Sequence, residues 1–206
     1  MAQEDEAEPV LAAIVHEAMR FLVETNRVPI ADLAEQLKPV PGLYAVFGTD
    51  DAWKDLGLSS DDMRSRPLYV GKAEDSFVSR DLRTHFASGR TGQSTVRRSF
   101  AALLRDSLEL RGAPRNLELP GHFANYGLMA DGDARLTKWM WERLSLAVWP
   151  WERTTELKRI ERAVVLLLDP PLNIEYLPRA SRRDLSSARK AMADDARRWA
   201  LDNPVD

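Results

Sequence analysis

The chain contains no cysteine, which removes disulfides, thiolate metal sites and cysteine nucleophiles from consideration. It has no long apolar run either. The longest, Ala163 to Leu168, falls far short of the roughly 20 residues that a membrane-spanning helix needs. The first eight residues, Met1 to Glu8, are acidic where a secretory leader would be basic and then apolar. No internal repeat and no low-complexity tract occurs. Excess positive charge is also missing: 29 Lys and Arg stand against 32 Asp and Glu, a formal net charge of -3. Any surface that attracts a polyanion must therefore be local. These absences predict a cytoplasmic globular protein that does not enter membranes, and 206 residues with 44% hydrophobic and 30% charged content suit one ordinary domain with extensions.

What is present reads as alternating helices and short strands. Val10, Leu11, Ile14, Val15, Ala18, Met19, Phe21 and Leu22 recur at helical spacing behind Pro9, a residue suited to a helix start. A short helix over 30–37 stops at Pro39 and Pro41, which force an extended approach. Leu43 to Phe47 and Pro67 to Gly71 read as strands, with a helical turn near 51–56 in the long loop between them. Helices follow over 76–86 and from a Ser94-Thr95 cap, the latter burying Val96, Phe100, Leu103, Leu104 and Leu108. After a loop over 112–132, a helix over 134–143, a strand over 144–149 and an amphipathic helix over 155–168 complete the pattern. Trp139, Trp141, Trp149 and Trp151 are expected to pack the sheet against helices. The predicted class is α+β: a small three-stranded antiparallel sheet flanked by helices, with helical extensions at both ends. The expected units are an N-terminal arm (1–40), a central domain (41–175) and a basic helical tail (176–206).

Charge is unevenly spread. Between Arg64 and Arg111 stand ten basic residues, among them Lys72, Arg80, Arg83, Arg97 and Arg98, against Glu74, Asp75, Asp81, Asp106 and Glu109. The segment is net basic within an acidic chain, which fits either a phosphate surface or a solvated helix face. His16 and His122 have no partners at metal-ligand spacing.

Several stretches stand in a telling order: Gly42-Leu43-Tyr44, then Leu68-Tyr69-Val70-Gly71-Lys72, a basic helix ending in His85, Glu161 in a helix, and Pro170-Pro171-Leu172-Asn173. That order resembles the GIY-YIG nuclease family, over roughly Pro41 to Asn173. The resemblance implies an endonuclease that hydrolyses phosphodiester bonds in DNA, with RNA left open as a substrate. It implies that Tyr44 handles the attacking water, that Tyr69 positions the phosphate, and that Glu161 is the single metal carboxylate. One such carboxylate suits one hydrated Mg2+ or Mn2+. Lys72 is then a phosphate contact or an electrostatic aid to Tyr44, and Gly71 gives the backbone a close approach to substrate or a tight turn. Asn173 either supports the site by hydrogen bonding or closes a turn.

One element departs from the family pattern. Its essential arginine usually stands four residues before a His or Tyr, but the residue four before His85 is Asp81, with Arg80 five before it. A regular helix turns about 100° per residue, so Arg80 would aim elsewhere unless the helix bulges. Arg80 is the candidate phosphate ligand, and Arg83 is its reserve. His85 either assists with the phosphate and the leaving oxygen or is a packing residue. An inactive nucleic-acid-binding module on the same scaffold is the alternative function. A helical interaction protein with chance motif matches is the third reading, and it requires that no antiparallel sheet joins Tyr44 to Tyr69. The sequence leaves the oligomeric state open.

Overall fold

The computed structural model describes residues 2–59, 62–63, 65–78, 84–119, 121–129, 131–151 and 154–204. Its centre is a four-stranded antiparallel sheet in the order β1 (Val28–Pro29), β6 (Leu144–Pro150), β2 (Gly42–Gly48), β3 (Tyr69–Ala73). The three anticipated strands are all present. The fourth, β1, is a two-residue edge that pairs Val28 with Leu146. Pro29 can sit there because an edge strand has one side that needs no donor.

Successive residues of a strand point to opposite faces, and β2 is apolar on both. Leu43, Ala45 and Phe47 join Val70, Ala147 and Trp149 in a core with α1 (Ala2–Glu24) and α6 (Thr154–Leu168). Tyr44 and Val46 join Tyr69, Leu144 and Leu146 in a second core on the other face. That layer includes α3 (Asp50–Asp55), α4 (Thr95–Leu103), α5 (Gly132–Arg143) and α7 (Arg183–Asp202). A four-residue α2 (Leu33–Gln36) and a small hairpin, β4 (Gly112–Ala113) with β5 (Gly127–Leu128), complete the fold. The hairpin lies in the stretch read as loop from its Gly, Pro and Asn content.

Local chemistry sets most boundaries. Thr49 caps α3 and Ser94 caps α4, each hydroxyl accepting from a backbone amide three residues on. In α6, Leu157, Ile160, Val164 and Val165 are buried at helical spacing. Each contributes about 1.5–3 kcal/mol of apolar burial. Three expectations need correction. The first helix starts at Ala2, so Pro9 lies inside it rather than at its start. Trp141 is exposed, whereas Trp139 and Trp149 are buried as expected. Arg97 and Arg98 do not belong to a basic surface, because both are buried. Among the described residues, no helix is long and apolar enough to cross a membrane.

The last helix packs across α4 and β4, burying Met192 and Ala196. Asp195 ties it down, accepting hydrogen bonds from Arg105 at 3.0 and 3.1 Å and another from Arg198. Burial pushes the Asp195 carboxyl up, but the arginine bonds outweigh it and leave the carboxyl below the usual range. A depressed native pKa gives stability that is present above the unfolded value near 4 and is lost as pH falls through it. Asp195→Asn should therefore melt lower than wild type at pH 7, with the gap closing towards pH 3. A gap that does not change with pH would disprove this account.

Candidate active site

The pairing of β2 with β3 sets Tyr44 opposite Gly71 and Val46 opposite Tyr69, so both tyrosines project from the same face. Their ring centroids lie 6.2 Å apart. His85 packs against the other side of Tyr44, with centroids 5.7 Å apart. Tyr44 and His85 are wholly buried, while Tyr69 retains 9% of its surface.

Gly71 makes this arrangement possible. A Cβ built on it would stand 2.6 Å from Tyr44 Cζ and 2.9 Å from Tyr69 Cε1, with the Tyr44 hydroxyl closer still. The glycine is needed for the tyrosine ring that lies across it, rather than for a turn. Gly71→Ala should push Tyr44 out of place, cost about 1–3 kcal/mol in overpacking, and lower activity. Unchanged melting and unchanged cleavage would refute the steric reading.

A buried polar network stands behind the rings. His85 Nδ1 lies 2.6 Å from Ser94 Oγ, the same oxygen that caps α4. Arg97 follows from the first turn of α4. It donates to the His85 carbonyl at 3.4 Å, to Thr137 Oγ1 at 2.9 Å, and to Asp133 Oδ1 at 2.8 Å. The Thr91 hydroxyl donates to the same Asp133 oxygen at 2.6 Å. Sequence reasoning missed this network, because the separation of 36 positions between Arg97 and Asp133 leaves no local spacing signal.

On the solvent side, a cleft of about 500 Å³ is lined by Tyr69, Lys72, Glu161, Asn173, Glu175 and Tyr176, among others. Tyr44 and His85 are not part of its lining. Glu161 comes from α6 and is only 8% exposed. The Tyr176 hydroxyl lies near the Glu161 and Glu175 carboxylates. Burial, and then the two carboxylates, push that phenol up to about 12. The Tyr176 backbone is left-handed, with φ 71°, a conformation that costs a bulky residue energy and concentrates at functional sites. Tyr176 was also missed, although it stands three residues after Asn173 in the same exit.

The remaining candidates fall as follows. Lys72 borders the cleft and pairs with Glu74. Asn173 lines the cleft but commits both amide atoms to one backbone residue. Its Oδ1 accepts from Val70 N at 2.9 Å, and its Nδ2 donates to Val70 O at 2.8 Å. It thus fills the place of a missing strand partner on the outer edge of β3. Arg182 holds this exit from behind, donating to Asn173 O at 2.9 Å and Asp169 Oδ1 at 2.6 Å. Arg80 and Arg83 lie outside the described residues. Val78, Thr84 and His85, on either side of them, have π-helical backbone.

Two strand tyrosines and a helical glutamate thus gather at or just behind one polar cleft. A family model described as the GIY-YIG catalytic domain matches residues 42–191, well over half of the chain. The chain belongs to that family, which is one of endonucleases. No curated protein and no solved structure shows a significant match to it.

Proposed function

We propose that the protein is a metal-dependent endonuclease that hydrolyses phosphodiester bonds in DNA at the cleft between β3 and α6. One observation carries this reading. Tyr69 from the strand and Glu161 from the helix line the same polar cleft, with the tilted rings of Tyr44 and His85 packed behind Tyr69.

Glu161 would hold one Mg2+ or Mn2+, and the oxygens of Glu175 and Tyr176 in the same cleft suit such a hard ion. When bound, the ion supplies a Lewis acid for the phosphoryl oxygens. Tyr69 meets the phosphate at the cleft wall. Tyr44 takes the proton of the attacking water, which requires its present burial to open as substrate seats. A phenol with an ordinary pKa near 10 keeps its proton at pH 7, so Tyr44 accepts the water's proton only as the phenolate, and nearby positive charge that stabilises that anion is part of this mechanism. Arg80 supplies that charge to the non-bridging oxygens, with Arg83 in reserve. Lys72 adds positive charge at the rim, and His85, now buried behind the cleft, protonates the leaving oxygen once the opening that frees Tyr44 also exposes it.

The test is incubation of the purified protein with supercoiled plasmid in Mg2+, in Mn2+ and in excess chelator, with a labelled RNA in parallel. Nicking that needs a divalent ion and is confined to DNA is the expected result. No cleavage with either ion would sink the proposal. Full burial of Tyr44 favours a second reading, an inactive module that only binds nucleic acid. It predicts salt-sensitive DNA binding with no cut product.

A further inference from the structure

Arg98 and Arg189 lie behind the Tyr69 wall of the cleft, and Arg115, which lines a neighbouring pocket with Asp131 and Asp133, extends the group over Gly92. Arg98, on α4, is 7% exposed. It donates through Nη1 to Gly92 O at 2.9 Å and through Nη2 to Thr95 Oγ1 at 3.2 Å, and Thr95 itself lines the cleft. Its Nε is buried with no hydrogen-bond partner. Arg115 lies over the same Gly92, where an added Cβ would come within 2.7 Å of Arg115 Cγ. Arg189, on α7, is half-buried and close enough to Arg98 for the two charges to repel. The cluster runs from exposed Arg115 through Arg189 to buried Arg98. None of the three is ion-paired among the described residues. Those that are, such as Arg97, Arg105 and Arg182, have aspartates.

Burial, followed by the neighbouring Arg189 charge, lowers Arg98 to about 10, and burial also lowers Arg189. Tyr69 and Tyr126 are the neighbours that favour the charged form of Arg189. Burying a charge without a counter-charge costs several kcal/mol, and like charges side by side add to that. The cost is offset when an anion supplies what the protein withholds, and guanidinium groups suit the oxygens of a phosphate.

We propose that Arg115 and Arg189, backed by Arg98, form a second phosphate subsite that takes a neighbouring phosphate of the strand whose scissile bond lies in the cleft. The identity of the polyanion rests on the nuclease reading above, whereas the anion site itself does not. It accounts for an arginine pair buried beside the catalytic wall, and it places the substrate strand across α4 towards α7.

The test uses Arg115→Gln and Arg189→Gln singly and together, since both side chains reach solvent and Arg98 does not. Affinity for a labelled duplex is measured by anisotropy in chelator across a salt series. Each contacted phosphate contributes about 0.9 to the slope of log K against log salt, so the double variant should lose about 1.8. Arg189→Lys should restore most of the slope lost in Arg189→Gln. In parallel, wild type and double variant are melted in inorganic phosphate and in chloride at equal ionic strength. Stabilisation by phosphate in wild type alone is expected. If wild type binds DNA and the double variant keeps both slope and affinity, the subsite is overturned and the nuclease reading stands. If wild type neither binds nor cuts DNA but phosphate still stabilises it through these arginines, the anion site stands and the nuclease reading falls. No DNA binding and no phosphate effect would overturn the subsite outright.

Discussion

Glu161→Gln is expected to abolish divalent-dependent plasmid nicking, with a loss of at least about 10³-fold in rate. Glutamine keeps the size and hydrogen-bonding reach of the side chain, so its contact with Tyr176 and the packing of α6 should survive. What disappears is the negative charge that would hold the cation. Losing several kcal/mol of transition-state stabilisation corresponds to that rate, at 1.36 kcal/mol per tenfold. Circular dichroism should show an intact fold, and added Mn2+ should recover little activity. Cleavage within tenfold of wild type would remove Glu161 from the reaction and with it the proposed metal.

Arg97→Met should lower stability more than any other substitution considered for this chain. Arg97 is wholly buried and its partner Asp133 nearly so, with a side chain 16% exposed. Removing one member of a buried pair leaves the other charged and costs about 3–5 kcal/mol. For a chain of this length, about 2–4 °C of melting temperature accompanies each kcal/mol, so a fall of roughly 6–20 °C is expected. Adding Asp133→Asn should return part of it, because the stranded carboxylate is then gone. A fall below about 2 °C would show that the network does not support the site. Activity should drop along with stability, since Arg97 also holds the carbonyl of His85.

The sheet was legible because β-strands advertise themselves locally. Tyrosine and valine in Gly42 to Phe47 and Tyr69 to Gly71, bounded by Pro41 and Pro67, mark two strands, and the observed pairing of Tyr44 with Gly71 excludes the reading in which no sheet joins them. Helix α6 was legible from its apolar spacing, and α4 from its serine cap. The placement of arginines was not. Arg97, Arg98 and Arg182 look like surface charge in a one-dimensional reading. Their burial depends on Asp133, on the carbonyls of Thr91 and Gly92, and on Asp169, partners that only the folded chain brings near. The edge strand β1 was missed because two residues carry no periodicity. The tight-turn alternative for Gly71 fell because the residue lies within β3, and the ring it accommodates comes from the opposite strand.

The doubled bond between Asn173 and Val70 bears on how the protein meets a ligand. It bolts the segment leaving the glutamate helix onto the strand that carries Tyr69, so the two jaws share a fixed hinge pin. The spacing of those two jaws is set while the protein is still alone, so any opening that exposes Tyr44 has to come from another part of the wall.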